Sequence, residues 1–220
     1  MNQRKQINIL EDYDKMDESG LWLKSWTVPT GIVKLYEVHH SLSSQRWGSI
    51  QRRVNNTANR PTYEGCTNDF DSFQEFVEWS QSEVGYRLRE DNGNLWAIDK
   101  DIVGSGYSYS PKNCLFVPQE VNNFLTLRSR HRGIGPVGVT YIERGGKFYF
   151  CAKVQMGGYV VNKVFYNKDD AHRFWQENKI KRGKELVRKY KTFHNKLCEG
   201  IEFWISKLED DFLNNRETVY

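Results

Sequence analysis

The chain has 220 residues, 27% of them charged, with a formal net charge of only +4. Aromatic residues make up 14% (7 Trp, 12 Tyr, 12 Phe), which excludes a disordered chain because such side chains supply the apolar surface that offsets ordering entropy. No apolar run approaches the roughly 20 residues that cross a bilayer, and no apolar stretch follows Met1, so neither a membrane segment nor a secretory signal is expected.

The net charge hides an asymmetry. Residues 1–60 sum to +3, residues 61–127 to −7, residues 128–193 to +11 and residues 194–220 to −3. A block carrying 16 Lys and Arg against 5 Asp and Glu is the footprint expected of phosphate binding; a solvated basic surface is the plain alternative. The acidic block beside it suits a divalent-metal site or a surface that packs on other protein. Cys66, Cys114, Cys151 and Cys198 form no CxxC pair, so reduced thiols in a cytoplasm are expected and zinc is not.

In chain order, residues 1–41 form an N-terminal extension containing His39 and His40. Leu42 to Asn55 reads as an amphipathic helix, with Trp47 and Ile50 at helical spacing and Arg46, Arg52 and Arg53 nearby. A second helix starts near Phe73, with Asp71 as the expected cap and Gln74 as its capping-box partner. Trp96 to Ile98 is a short strand leading into Asp99-Lys100-Asp101. Turn residues at Gly104–Gly106 and Ser110–Asn113 precede a strand over 115–117 and a helix over 119–127.

Residues 128–137, with Arg128, Arg130, His131 and Arg132, read as a basic linker between a unit at 42–127 and one at 138–180. Three strands follow, 138–144, 147–156 and 159–166, joined by the glycine pairs Gly145-Gly146 and Gly157-Gly158. Phe148, Phe150, Ala152 and Val154 alternate with Lys147, Tyr149, Cys151, Lys153 and Gln155. A helix from Asn167 carries Ala171, Phe174 and Trp175 to cover the apolar face. The segment 181–220 reads as one further helix to about Leu213, with Leu186, Tyr190, Phe193, Leu197, Ile201, Trp204, Leu208 and Phe212 on one stripe. That stripe suits packing on its own chain, or a homodimer or protein partner.

Particular residues in 47–123 carry a resemblance. Trp47-x-x-Ile50-x-Arg52, Pro61-Thr62-Tyr63, Phe73-x-x-Phe76-x-x-Trp79, Ile98-Asp99-Lys100-Asp101-Ile102, Tyr109-Ser110-Pro111-x-Asn113-Cys114-x-Phe116-Val117-Pro118 and Asn122 resemble a divergent branch of phage HNH homing endonucleases. Gly138-Val139, Lys147-Phe148, Phe165 and Asp169-Asp170-Ala171, within 138–191, are similar to the integrase-like, ethylene-response-factor type of DNA-binding domain.

The resemblance implies an α+β chain: a small ββα nuclease-type domain of the His-Me finger kind, a linker, a three-stranded antiparallel sheet plus helix that binds double-stranded DNA, and a long C-terminal helix. It implies a cytoplasmic protein of phage or mobile-element type, a DNA endonuclease or nickase using Mg2+ or Mn2+. Asp99 and Asn113 match the metal-holding positions. A histidine next to the metal Asp should activate water, but that position is Lys100, and no histidine lies between His40 and His131. Flanked by Asp99 and Asp101, Lys100 is expected to stay an ammonium ion able to clamp phosphate, with Asp101 as the nearest second ligand. The alternative is a homing-endonuclease derivative that binds DNA without cutting it, as a repressor or accessory factor; a third reading is a protein-interaction module using the C-terminal helix. The expected DNA contacts are Arg128, Arg130, Arg132, Arg144, Lys147, Tyr149, Lys153 and Lys163, with Arg52 and Arg53.

Overall fold

The structure is a computed structural model that describes residues 42–59, 61–103, 106–125, 135–192 and 194–219. It is α+β, and among the described residues no helix is long and apolar enough to cross a membrane. The N-terminal extension with its His39-His40 pair, Gly104, Ser105, the last two positions of the helix expected over 119–127, residues 128–134 of the expected linker (with Arg128, Arg130, His131 and Arg132) and Phe193 lie outside the described residues.

Helix α1 (Leu42–Asn55) buries Leu42 and Ile50 and sets Trp47 against Phe70, Phe73 and Phe76. Arg46, on the same helix, is buried as well. Its guanidinium donates to the carbonyls of Tyr86 (2.7 Å) and Trp96 (3.0 Å) and lies 4.3 Å from the Phe116 ring centre. Helix α2 (Phe73–Ser82) completes this aromatic core with Phe76 and Trp79, the latter stacked on Phe116 at 5.4 Å. Its cap is one residue later than the expected Asp71 and Gln74. The Ser72 hydroxyl accepts from Glu75 N–H at 3.1 Å, and the Glu75 carboxylate reaches back to Asp71 N–H at 2.6 Å. Serine and glutamate at this spacing satisfy two orphan donors at once.

Four short strands accompany these helices, one before α2 and three after it. β1 (Thr67–Asn68) pairs in parallel with β3 (Ser108–Tyr109), and β2 (Ala97–Asp99) pairs antiparallel with β4 (Leu115–Val117), placing Asp99 opposite Leu115. Helix α3 (Gln119–Leu125) leaves β4 directly after Pro118 and buries Val121 and Phe124.

Strands β5 (Val139–Arg144), β6 (Lys147–Met156) and β7 (Tyr159–Phe165) form an antiparallel sheet in that order, within one residue of the expected bounds. Ala152, Val154 and Met156 are buried on the face that Ala171 and Trp175 cover, while Phe148, farther along the same face, stays half exposed. Gly138 sits at the entry to β5 with φ +76, and a Cβ there would stand 1.9 Å from Trp175 Cδ1. Only glycine tolerates both that backbone and that approach.

The covering helix is longer than expected. α4 (Lys168–Tyr190), capped by Asn167, continues through position 180, so the expected boundary at 180–181 falls inside one helix. The single C-terminal helix expected from 181 to 213 is instead the end of α4, a break, and α5 (Asn195–Leu213), with the His194 ring accepting from Leu197 N–H. The break carries no glycine or proline, and the apolar stripe keeps its spacing across it, which is why periodicity alone reads straight through. α5 folds back on α4: a Cβ at Gly183 would lie 2.6 Å from Ile205 Cγ1, and Lys184 pairs with Glu209 at 2.6 Å. The stripe is thereby spent inside the chain. Leu197, Ile201 and Leu208 are buried, leaving Phe203 and Leu213 exposed.

Candidate functional site

The two faces of the β5–β7 sheet differ in kind. Directly paired residues share a face, so Thr140, Ile142 and Arg144 on β5 lie with Cys151, Tyr149 and Lys147 on β6, and Lys153 lies beside Asn162 of β7. This open face carries Arg144, Lys147 and Lys153 and no carboxylate; Glu143 pairs with Phe148 on the other side. Tyr149 packs on Tyr166 (centroids 5.3 Å apart), and Tyr166 is 82% exposed. Tyr166 and Asn162 were missed as site candidates, because only the strand register puts them beside Tyr149 and Lys153.

Lys163 does not belong with them. It pairs with Ala152 and so points to the helix side, where its ammonium lies 5.2 Å from the Phe165 ring centre and 5.6 Å from that of Phe174. A strand reverses faces at each residue, and Lys163 is one step out of phase with Asn162.

Much of the +11 block is also engaged within the chain. Glu120 of α3 receives Arg182 (2.6 Å), Lys189 (2.5 Å) and the Tyr190 hydroxyl. Burial works against the charged form of Glu120, but these partners outweigh it and hold the carboxyl below its usual range. Lys179 is buried, donating to the Phe124 carbonyl at 2.5 Å. The acidic central unit therefore complements part of the basic block, and the open sheet face keeps its three cations.

The second cluster surrounds the end of β2. Asp99 is buried, and one carboxylate oxygen accepts from the backbone N–H groups of Asp101 and Ile102, both at 2.9 Å. Burial first, and then the neighbouring Asp101, push its carboxyl up to about 6. Lys100 is buried too. Its ammonium donates to the Asp101 carboxylate at 2.7 Å and the Gly106 carbonyl at 2.5 Å, and lies 5.7 and 5.8 Å from the ring centres of Tyr63 and Tyr109. Burial acts to lower Lys100, but the bond and charge of Asp101 win and hold it above its ordinary value, as the flanking carboxylates predicted.

Arg53 belongs here rather than to an outer basic patch. It donates to the Tyr109 hydroxyl at 3.1 Å and lies 5.6 Å from the Tyr63 ring centre. Burial works to lower it, but Tyr109, Tyr63 and Asp99 together raise it. Arg52, one residue away on α1, is exposed. Asn113 closes a turn, its N–H directed to Ser110 O at 3.2 Å, and next to it the Cys114 thiol is pushed up to about 12 by burial. Tyr63, Tyr109 and the Gly106 carbonyl were missed as site members; the β1–β3 pairing that carries Tyr109 is long-range. All four cysteines are free thiols.

The carboxylates of this centre are already engaged within the chain. The acidic charge of Asp99 and Asp101 is already matched by Lys100 and Arg53, one oxygen of Asp99 is taken by two backbone donors, and Asp101 is held by the ammonium. A dication bound by these carboxylates would stand close to the ammonium that Asp101 already holds, and the two like charges repel. Among the described residues no group of three His, Cys, Asp or Glu is placed to hold a metal. Compared with protein-family models, curated proteins and solved structures, the chain matches none of them.

Proposed function

We propose that this chain binds double-stranded DNA through the open face of the β5–β7 sheet and acts as a DNA-binding factor rather than a nuclease. The observation that carries this reading is the register that gathers Arg144, Lys147 and Lys153 on a face free of carboxylates, with Tyr149, Asn162 and Tyr166 among them. A two- or three-stranded ribbon fits the major groove; cations contact phosphates, and an asparagine amide can pair with an adenine edge. The resemblance of 138–191 to integrase-like DNA-binding domains points the same way.

The test is duplex affinity measured against salt. Arg144→Ala, Lys147→Ala and Lys153→Ala each lower the log–log salt slope by about one and weaken binding severalfold at about 0.1 M salt. Lys163→Ala, on the opposite face, leaves both unchanged. Wild-type affinity in all three open-face variants overturns the assignment.

A second reading, hydrolysis by an HNH-derived centre with Mg2+ or Mn2+, draws on the β2–β4 pair followed directly by α3, with Asp99 at the strand end. Nicking of supercoiled DNA that disappears in Asp99→Ala would favour it over the non-cutting reading.

A further inference from the structure

We propose that Lys100 is a resident cation: its ammonium supplies to the Asp99–Asp101 centre the positive charge that a divalent ion would otherwise bring, and so closes the centre to metal. The geometry is that of a built cation site. The ammonium is held by a carboxylate at 2.7 Å and a backbone carbonyl at 2.5 Å, with two aromatic rings within 6 Å. A lysine has three donors and no acceptor, so carboxylate, carbonyl and ring faces are the partners it can use.

The pocket is shaped around it. Gly106, whose carbonyl takes the ammonium, has φ +81, and a Cβ there would come 3.1 Å from the Asp101 oxygen that Lys100 binds. Ile102 and Val103, just after the Asp99–Asp101 segment, are pressed against the C-terminal helix, since a Cβ at Gly200 would lie 2.8 Å from Ile102 Cγ1 and 3.1 Å from Val103 Cγ1. Tertiary packing therefore fixes the backbone that sets the ammonium in place. With Lys100 neutral or truncated, the balance of two carboxylates against Arg53 becomes net negative, and the centre acquires the charge a divalent cation needs.

The inference is independent of DNA binding and is tested without DNA, by titrating Mn2+ into the full chain and following calorimetric heat and paramagnetic broadening. Wild type gives no saturable binding at this centre. Lys100→Ala, with wild-type circular dichroism, binds Mn2+ at least about tenfold more tightly, the scale set by removing one charge at contact distance in a partly buried setting. Adding Asp99→Asn to Lys100→Ala abolishes that gain. Saturable wild-type binding that Asp99→Asn removes overturns the proposal, as does a folded Lys100→Ala that gains nothing. If Lys100→Ala does not fold, Lys100→Gln replaces it, and the wild-type titration still decides.

Discussion

Replacing Lys179 by methionine removes a charge that the fold keeps buried with no carboxylate paired to it among the described residues. Lys179 as a whole is 9% exposed; its ammonium donates to the Phe124 carbonyl and packs near the rings of Phe124 and Trp175 at 4.7 and 5.8 Å. Burial, reinforced by Arg182, lowers it from its ordinary 10.5 to about 8, which at 1.36 kcal/mol per pH unit is about 3 kcal/mol against the charged form. Methionine keeps most of the stem packing but forfeits the bond to Phe124 O, a carbonyl in the last turn of α3, at a cost of about 1–2 kcal/mol. The net expectation at pH 7 is a gain of about 1–2 kcal/mol.

The pH dependence separates this from a simple packing effect. Because the folded value lies below the unfolded one, the native state releases the proton first. Wild-type stability therefore rises between about pH 8 and 10.5 and is lost as pH falls toward 8. Urea unfolding followed by tryptophan fluorescence at about pH 7, 8, 9 and 10 should show the Lys179→Met advantage shrinking with pH. Wild-type and variant curves that stay parallel across that range would refute the buried-charge argument.

Three further outcomes follow from other parts of the fold. Gly138→Ala should cost at least about 3 kcal/mol, because the new Cβ meets Trp175 at 1.9 Å on a backbone of positive φ; an unchanged Tm contradicts it. Glu120→Gln should cost about 1–3 kcal/mol by loosening Arg182 and Lys189, and a cycle with Arg182→Ala should show coupling; strict additivity would remove Glu120 as the tie between α3 and α4. The C-terminal tail should respond to acid. His172 accepts from Thr218 N–H through Nε2 (3.0 Å) and so donates through Nδ1 to Val137 O (2.9 Å), which requires a neutral ring. Burial lowers His172 against the opposing pull of Glu217, Asp211 and Asp169, so its stabilisation is present above about pH 6.5 and lost as pH falls through the lowered folded value. Deleting residues 214–220 should cost about 2 kcal/mol and flatten that acid limb; an identical limb in the truncated chain would refute it.

The alternation in β6 and the two glycine pairs determined the three-stranded sheet and its strand limits, because a period of two and hairpin turns are local properties of the chain. The same local logic marked Leu42–Asn55, the start of a helix at Asn167 and the aromatic words around Trp47, Phe76 and Trp79. Only tertiary structure decided which basic residues act together. Lys153 and Lys163 are equivalent in composition, yet the register places them on opposite faces. Arg182 and Lys189 count toward the +11 block, yet they meet Glu120, 62 and 69 positions away. Likewise Asp99-Lys100-Asp101 is visible as three adjacent charges, whereas its closure by Gly106, Tyr63, Tyr109 and Arg53 comes from segments that meet only in the fold. Charge is written in the sequence, but its neutralisation depends on distance and burial, which long-range packing sets.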